Sequence, residues 1–357
     1  MTERDITEAF SGTKDVAPAY RFDAARLEGY LAENIAGFAG PLDVRQFKGG
    51  QSNPTYLLTT PSKRYVLRRK PPGKLLPSAH AVEREYAVMS ALAATSFPVP
   101  KTHILCADES VAGTAFFVMD HVDGRIFWNG RLPELAPSER ATLYDSMNAT
   151  LARLHSVDYR AIGLGEYGKE GAYVARQIAR WTKQYRLSET QPIAEMEKLI
   201  DWLPQHLPAG ETTRLVHGDY RLDNLIMAKN APKVVAVIDW ELSTLGDPLA
   251  DFAHHLMQWR LPPGNRGGFF GFEFSQTGIP DERDYVAAYC ERTKRKGIGD
   301  LDYYLAYNMF RLAAIVQGIG GRLRDGTAAS AEAAEEAKLA VPLAHAAWDC
   351  AKRTGAR

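Results

Sequence analysis

Three side chains that carry oxygen, Asp219, Asn224 and Asp239, lie at the ends of apolar, strand-like segments. Asp219 and Asn224 occur in LVHGDYRLDNLIM, and Asp239 ends the run VVAVID. Phosphoryl transfer needs a carboxylate near the acceptor hydroxyl, and oxygen ligands for the magnesium that bridges the nucleotide phosphates. The ordered set predicts such a site, although a single Asp before a turn more often caps a helix or tightens a loop.

A glycine pair near the N-terminus offers a second candidate for phosphate binding. In FKGGQSNPTYLL, the backbone amides of Gly49 and Gly50 could approach phosphate oxygens, with Ser52 and Asn53 as side-chain donors. A glycine pair between two strands is also the ordinary composition of a hairpin turn. Both interpretations remain open from the sequence.

The segment YVLRRK follows this loop and is typical of a β-strand. Strand alternation puts Val66 and Arg68 on one face, so Val66 could cover an adenine while Arg68 reaches the phosphates. Arg69 and Lys70 are the alternative phosphate partners. A helix is expected over residues 79–94, where apolar side chains recur at helical spacing.

Composition sets limits on the class of protein. The 357 residues include 43 basic and 43 acidic residues, so no global charge draws the chain to nucleic acid or to anionic membranes. Three distant cysteines favour a reducing compartment. With no signal-peptide pattern and no long apolar run, we expect a cytoplasmic protein that neither spans a membrane nor binds nucleic acid.

The segments HGDYRLDN and IDWE resemble the catalytic and metal-binding loops of the aminoglycoside phosphotransferase and choline kinase superfamily, distant relatives of protein kinases. Asn224 follows Asp219, the Asp of His-Gly-Asp, by five residues, and Asp239, the Asp of IDWE, follows Asp219 by twenty. The resemblance implies that Asp219 is the catalytic base, that Asn224 and Asp239 bind Mg²⁺, and that ATP is the phosphoryl donor.

The same resemblance implies a cation on the third strand, paired with a Glu of the following helix. Members of the family usually carry Lys where this chain has Arg68, whose charge and forked donors suit the same task. Glu85 is the best match for the paired Glu, and Glu83 is the alternative. An exposed helix face would explain either glutamate equally well.

The apolar strand in FFVMDHVDG is placed like the hinge whose backbone contacts adenine in the family. Its last residues are Met119, Asp120, His121 and Val122. A simple linker between two lobes is the other interpretation. The two interpretations are compatible.

Several further polar residues of the motif region are assigned to structure. Asp251, in GDPLADFA, resembles a buried family Asp that braces the catalytic loop, and Asp247 is grouped with it. His217 and Glu241 are expected to orient the loops that carry Asp219 and Asp239, and to take no direct part in phosphoryl transfer.

The adjacent histidines His254 and His255 could suggest a metal site. Neighbouring helical residues diverge by about 100° and no further ligand is suitably spaced. Both are therefore predicted to be core or capping residues.

The resemblance, which covers residues 43–330, implies an α+β fold class: a two-lobed, protein-kinase-like fold with a small antiparallel sheet of five strands and a mostly helical larger lobe. The N-terminal, nucleotide-binding lobe is predicted over residues 1–122, and the C-terminal, catalytic and acceptor-binding lobe over residues 123–357. Strands are expected in VRQF, TYLLTT, YVLRRK, THILCA and TAFFVMDHV. The cleft between the lobes is the expected site.

The resemblance implies that the acceptor is a small molecule with a hydroxyl group. The segments FKGGQSNPTYLL, YVLRRKPPGKLLPSAHAVEREY and IDWELSTLGDPLADFAHH resemble kinase domains sometimes fused to acyl-CoA dehydrogenases, which implies a hydroxyacyl-CoA or a hydroxy acid as the acceptor. An aminoglycoside is the alternative acceptor. A catalytically silent, kinase-like binding module is the alternative function. An anionic acceptor would suit a basic segment, although scattered surface cations explain it as well. These cations are Arg260, Arg266, Arg292, Lys294, Arg295, Lys296, Arg311, Arg322 and Arg324.

Overall fold

The computed structural model describes residues 11–49, 53–73, 80–263, 268–325 and 333–356. The chain forms two compact units, each built from separate stretches of sequence. The first unit takes the described residues within Met1–Thr150, Asp158–Tyr167 and Arg221–Ser243, and the second those within Leu151–Val157, Gly168–Tyr220 and Thr244–Arg357. The predicted boundary between residues 122 and 123 stays a prediction.

A six-stranded antiparallel sheet dominates the first unit, with its strands in the order β1-β2-β3-β4-β6-β5. Five of these strands are the predicted ones, and the sixth is a two-residue strand, β1, that pairs with β2. The strands are β1 (Thr13–Lys14), β2 (Asp43–Phe47), β3 (Thr55–Thr59), β4 (Arg64–Arg69), β5 (Thr102–Cys106) and β6 (Phe116–Asp120).

Helices and a second, small hairpin complete the first unit. The hairpin joins β8 (Leu225–Met227) to β9 (Val234–Val237), and Leu225 lies opposite Val237. The helices are α1 (Ala24–Asn34), α2 (Val82–Ala93), α3 (Glu109–Ala112) and α4 (Pro137–Ser156), of which residues 137–150 belong to this unit. Asp23 caps α1 by accepting a hydrogen bond from the Arg26 amide.

Strand alternation divides the side chains of β3 and β4 between the two faces of the sheet. Side chains such as Tyr56, Leu58 and Leu67 pack with α1 in one buried cluster. Arg69 points to the same side, where its guanidinium donates to the Tyr56 hydroxyl and to the Tyr20 carbonyl. Arg68, one residue earlier, therefore faces the other side of the sheet.

The second unit is mostly helical. Its long helix α9 is buried over most of its length and packs against α5, α7 and α11. The helices are α5 (Tyr173–Ser188), α6 (Ala194–Trp202), α7 (Pro248–Leu256), α8 (Glu282–Arg292), α9 (Leu301–Arg324), α10 (Ala333–Ala337) and α11 (Ala340–Arg353). Strands β7 (Arg214–Val216) and β10 (Thr244–Gly246) pair antiparallel. Within the described ranges, no helix has the length and apolar character to cross a membrane.

We predict that Leu58→Ala lowers the free energy of unfolding by about 2–5 kcal/mol, because it removes a fully buried side chain from the sheet core. Leu57→Ala is the matched control on the same strand, since its side chain is only partly buried. Urea unfolding measures both. Equal losses at the two positions would contradict the described alternation.

Candidate active site

Arg68 lies at the centre of a cluster of carboxylates in the first unit. Its Nε donates to Glu85 Oε2 at 2.8 Å, and its Nη2 donates to Asp239 Oδ1 at 2.6 Å. Glu241 Oε2 lies 3.6 Å from the same Nη2. The structure therefore brings the predicted Arg68 and Glu85 together, and adds Asp239 and Glu241 to the pair.

The Arg68–Glu85 pair at the centre of this cluster is buried, and the cluster as a whole has an excess of acidic groups. Arg68 is 7% exposed and Glu85 is 1% exposed. Burial raises the pKa of Glu85, and the carboxylates of Asp239 and Glu241 add to the rise while Arg68 opposes it. Burial disfavours the charge on Arg68, but the three carboxylates outweigh burial and raise the pKa of the guanidinium. One cation thus faces three acidic groups.

Asp239 and Asn224 are brought together by the backbone of the small hairpin. Asn224 ends a single 3₁₀ turn, Leu222–Asn224, directly before β8. Its carbonyl accepts a hydrogen bond from the Ile238 amide at 3.0 Å, so Asp239 follows the residue paired with Asn224. Asp239 has left-handed backbone angles, φ 65° and ψ 62°, which an L-residue adopts at a cost and which recur at functional positions.

The residue after Asp239 ties the hairpin to helix α2. The Trp240 amide donates to Glu85 Oε1 at 3.3 Å, and the fully buried indole donates to the Val237 carbonyl. Glu85 therefore receives hydrogen bonds from both β4 and the segment that carries Asp239. This shared partner fixes the position of Asp239 relative to Arg68.

The predicted glycine loop is described only at its ends. Gly49 and Asn53 lie within the described residues, while Gly50 and Ser52 lie outside them. The Asn53 side chain is fully buried; its Nδ2 donates to Glu241 Oε2 at 3.2 Å, and its Oδ1 lies 3.1 Å from His80 Nδ1. The role of this loop in phosphate binding stays a prediction.

The predicted hinge lies at the end of β6. Met119 is paired with Val66 across the sheet, and both side chains are mostly buried. The Asp120 amide donates to the Lys101 carbonyl, and the His121 amide donates to the Arg64 carbonyl. The role of this segment, from Met119 to Val122, in contacting adenine stays a prediction.

Side chains of the hinge form their own charge contacts. The Asp120 carboxylate lies 2.6 Å from Lys63 Nζ and 2.7 Å from His103 Nε2. Burial opposes the charge on Asp120, but these two partners outweigh burial and lower the pKa of the carboxyl. Burial lowers the pKa of His121, and Arg64 lowers it further. The carboxylate of Asp120 is therefore paired with Lys63 and His103.

The second unit holds the predicted base, Asp219, on a turn that Asp251 supports. Asp251 accepts hydrogen bonds at 2.8 Å from the backbone amides of His217 and Gly218, and its Oδ2 lies 3.1 Å from His155 Nε2. Gly218 has φ 83°, a conformation that favours glycine. Asp251 braces the turn, as the resemblance implied, while Asp247 caps α7 by accepting from the Leu249 amide.

Two side chains next to Asp219 were not predicted to lie there. His254 Nε2 lies 3.1 Å from Asp219 Oδ1, so its prediction as a core or capping residue is wrong. His255 is buried and bonds the Tyr285 hydroxyl, as a core residue does. Arg311, grouped with the surface cations, is buried and donates to the Gly218 carbonyl at 3.0 Å.

Helix periodicity could have located His254. Asp251 and His254 are three residues apart on α7, a spacing that puts two side chains on one face of a helix. Since Asp251 was expected beneath the catalytic turn, His254 should have been expected beside it. The position of Arg311 has no comparable local signal, because it depends on the packing of α9.

The remaining basic segment is partly neutralised by local partners. Arg260 pairs with Glu282 and lies 3.3 Å from Asp302, and Arg324 pairs with the neighbouring Asp325. Arg266 lies outside the described residues. Lys294 and Lys296 are exposed, while Arg292 and Arg295 are partly buried. Arg292, at the end of α8, and Lys294, Arg295 and Lys296, which follow it, together form a segment that we call the basic turn.

Family comparison identifies the class of protein. A sequence model of the phosphotransferase enzyme family matches residues 43–290. The chain belongs to this family, which confirms the predicted class of small-molecule kinase. The match includes Asp219, Asn224 and Asp239, the residues on which the resemblance was founded.

Two curated relatives show a longer architecture. Mouse acyl-CoA dehydrogenase family member 10 is 45% identical over 349 residues, which are 97% of this chain and 33% of that protein. Rat acyl-CoA dehydrogenase family member 11 is 41% identical over 365 residues, covering 99% of this chain and 46% of that protein. The chain thus spans less than half the length of these relatives.

Solved structures confirm the predicted fold. A Ralstonia eutropha protein, provisionally assigned as an aminoglycoside phosphotransferase, is 52% identical with a TM-score of 0.86, covering 93% of this chain and 99% of that one. Choline kinase from Cryptosporidium parvum, 13% identical, has a TM-score of 0.66 and covers 93% and 97%. An aminoglycoside phosphotransferase mutant in complex with ADP and hygromycin B, 16% identical, has a TM-score of 0.59 and covers 90% and 98%.

We predict that Asp251→Asn lowers the free energy of unfolding at pH 7 by about 2–4 kcal/mol, because a charged acceptor of three hydrogen bonds is lost. Burial would raise the pKa of Asp251, but the hydrogen bond and charge of His155, the charge of His217 and the backbone amide lower it to about 2. The folded carboxyl thus binds its proton at lower pH than an unfolded one. Its stabilisation is present above pH ~4 and is lost as the pH falls towards ~2.

Denaturant unfolding between pH 2 and 7 measures this effect. The loss of stability on acidification should be smaller in Asp251→Asn than in the unsubstituted chain. Asp349→Asn, which changes an exposed carboxylate beside Lys352, is the control and should keep the full loss. Identical acid dependence in the two variants would refute the bracing role.

Proposed function

We propose that this chain transfers the γ-phosphoryl group of ATP to a hydroxyl of a small molecule, with Asp219 as the base and Asn224 and Asp239 as ligands of Mg²⁺. The family supports the reaction class. The observation that supports the roles of Arg68, Asn224 and Asp239 is the cluster in which Arg68, Glu85 and Asp239 meet, with Asn224 directly before the paired strand β8. The role of Asp219 rests on the motif HGDYRLDN.

The donor set fits magnesium. Mg²⁺ prefers hard oxygen ligands, uses one or two carboxylates, and takes its other ligands from water and substrate phosphates. Asp239 offers a carboxylate and Asn224 an amide oxygen, and the acidic cluster around Arg68 is electrostatically suited to a divalent cation. Among the described residues no group of three His, Cys, Asp or Glu side chains forms a complete metal cage. When bound, the ion would neutralise charge on the phosphates.

Arg68 would contact the phosphates of ATP in place of the Lys that is usual in the family. Its hydrogen-bond partners Glu85 and Asp239 are carboxylates, and a guanidinium has five N–H donors in a fixed fork. Glu85 would hold the orientation of this fork. Asn53, bonded to Glu241, links the glycine loop to the same cluster.

Asp219 would take the proton of the acceptor hydroxyl. The hydroxyl oxygen forms a bond to the γ-phosphorus, the bond from that phosphorus to the β–γ bridging oxygen breaks, and ADP leaves. The proton passes to the Asp219 carboxylate. Because phosphoryl transfer requires mainly positioning and charge stabilisation, the protein needs few reacting groups of its own.

For the acceptor, we propose a hydroxyacyl thioester of coenzyme A or a related hydroxy acid. The support is the similarity to proteins named acyl-CoA dehydrogenase family members 10 and 11 across nearly all of this chain. The basic turn of Arg292, Lys294, Arg295 and Lys296 suits an anionic acceptor.

An aminoglycoside is the second candidate acceptor. The 52% identical solved structure carries that provisional assignment, and another neighbour is described with bound hygromycin B. A polycationic acceptor would need an excess of carboxylates around its site. The basic turn after α8 is better suited to phosphate or carboxylate groups, so we place the aminoglycoside second.

Two substitutions should separate catalysis from nucleotide binding. Asp219→Asn should lower kcat by about 10²-fold or more while Mg-ATP affinity stays nearly unchanged, because only a proton acceptor is lost. Asp239→Asn should weaken Mg-dependent ATP binding, because a neutral amide replaces the anionic ligand in a similar shape. Calorimetry and a coupled ADP assay measure the two effects.

The control for both is Asp349→Asn, far along the sequence on α11 and exposed. It should resemble the unsubstituted chain in binding and turnover. Normal turnover in Asp219→Asn would refute its role as base. Unchanged Mg-dependence in Asp239→Asn would refute the metal assignment.

The acceptor is tested by an ATP-consumption screen over hydroxyacyl-CoAs of several chain lengths, free hydroxy acids and aminoglycosides. We expect turnover with the first two classes and none with kanamycin-like compounds. Charge reversal in the basic turn, Arg295→Glu with Lys296→Glu, should raise the KM for the acceptor far more than the KM for ATP. Arg324→Glu is the control, since Arg324 already pairs with Asp325.

Efficient phosphorylation of an aminoglycoside, without turnover of any hydroxyacyl-CoA or hydroxy acid, would overturn the acceptor proposal. It would leave the kinase class intact. An equal effect of the two charge reversals would show that the basic turn contributes nothing specific.

A further inference from the structure

His254 contacts the proposed base directly. Its Nε2 lies 3.1 Å from Asp219 Oδ1, and the two side chains are 12% and 25% exposed. The ring belongs to α7, the same helix whose Asp251 holds the amides of His217 and Gly218. One helix face therefore supports both the backbone of the turn and its reactive carboxylate.

The chemistry of the contact assigns the hydrogen. An ionised carboxylate only accepts hydrogen bonds, so Nε2 must carry the hydrogen and donate it to Asp219. His254 Nδ1 is buried and has no hydrogen-bond partner among the described residues. A second proton on Nδ1 would leave a buried N–H donor without an acceptor, which costs free energy. The ring is therefore suited to donate to Asp219 and unsuited to relay its proton.

The neighbouring histidine does not share this position. His255 Nε2 lies 2.9 Å from the Tyr285 hydroxyl, and burial lowers the pKa of His255 to about 3, with a further contribution from His254. Consecutive helical residues point in different directions, so only His254 reaches Asp219. The pair consists of one core histidine and one histidine at the turn.

We propose that His254 is a positioning residue for the phosphoryl transfer: its Nε2–H fixes the rotamer of the Asp219 carboxylate and stabilises its ionised form as the acceptor of the hydroxyl proton. The inference rests on the proposed function of Asp219. A donor that holds the base contributes to the reacting geometry and not to nucleotide affinity. Its loss should therefore appear in kcat.

Other charged groups also face this turn and must be kept constant in a test. Arg311 donates to the Gly218 carbonyl and interacts with the charge of Asp219. His217 Nδ1 accepts a hydrogen bond from the Asp219 amide at 3.2 Å. Asp251 and His255 lie on the same helix as His254. None of these residues is changed by a substitution at position 254.

The test compares His254→Leu, which removes the donor, with His254→Gln, whose terminal amide nitrogen can occupy a position similar to Nε2. In His254→Leu we expect kcat to fall about tenfold or more with the KM for ATP unchanged. The acid limb of the pH–rate profile should move upward by about one pH unit, because the carboxylate loses a stabilising donor. His254→Gln should restore much of both properties. His345→Leu, at an exposed position, is the control.

A second measurement needs no acceptor and no turnover. Carbon-13 NMR follows the titration of the Asp219 carboxyl group, with its resonance assigned by Asp219→Asn. The midpoint should move upward in His254→Leu and return in His254→Gln. If the unsubstituted chain phosphorylates nothing, the proposed function fails while this titration still decides the contact. An unmoved midpoint, or a Gln variant no better than Leu, would overturn the role of His254.

Discussion

The first unit depends on keeping the buried guanidinium of Arg68 paired. A charge that is removed from water without partners costs several kcal/mol, so the surrounding segments must supply acidic groups at fixed positions. Helix α2 supplies Glu85, and the segment after β9 supplies Asp239. The same electrostatic requirement thus joins β4 and α2 to the segment after β9, which is far from both in sequence, and it leaves an excess of acidic groups beside one cation.

The turn that carries Asp219 in the second unit is stabilised by a different kind of interaction. Instead of a regular ladder of hydrogen bonds, one carboxylate accepts two successive amides, and a buried arginine donates to the adjoining carbonyl. Such a turn keeps the Asp219 side chain near the end of β7 and partly exposed. Asp251 thus binds the amide groups of this backbone segment, and Arg311 binds a carbonyl group of the same segment.

Local patterns predicted much of this arrangement. The alternation in YVLRRK correctly separated the directions of Arg68 and Arg69, because the period of a strand is two residues. The spacing of apolar residues predicted helix α2, and the order of the motifs selected Asp219, Asn224 and Asp239 as candidate site residues. The functional roles of these residues remain predictions, as does the hinge at Met119.

Other features depend on tertiary packing that a local pattern does not contain. Arg311 occurs in a helix buried on most sides, and the sequence around it does not reveal that its charge reaches the Gly218 carbonyl. Asn53 resembled a loop donor, yet its side chain bridges His80 and Glu241, which are far apart in sequence. His254 was misassigned because the pair of histidines was considered for a metal and not for a carboxylate already expected nearby.

The left-handed backbone at Asp239 restricts which sequences can occupy this position even before catalysis is considered. Asn and Gly tolerate such angles, whereas β-branched residues there are strongly disfavoured. In a library of variants, selection for folding alone would therefore admit a narrow set of residues, and selection for activity would reduce that set further. With its proposed role as a ligand of Mg²⁺, a conserved Asp at this position among relatives would meet two separate requirements, one for the backbone conformation and one for metal binding.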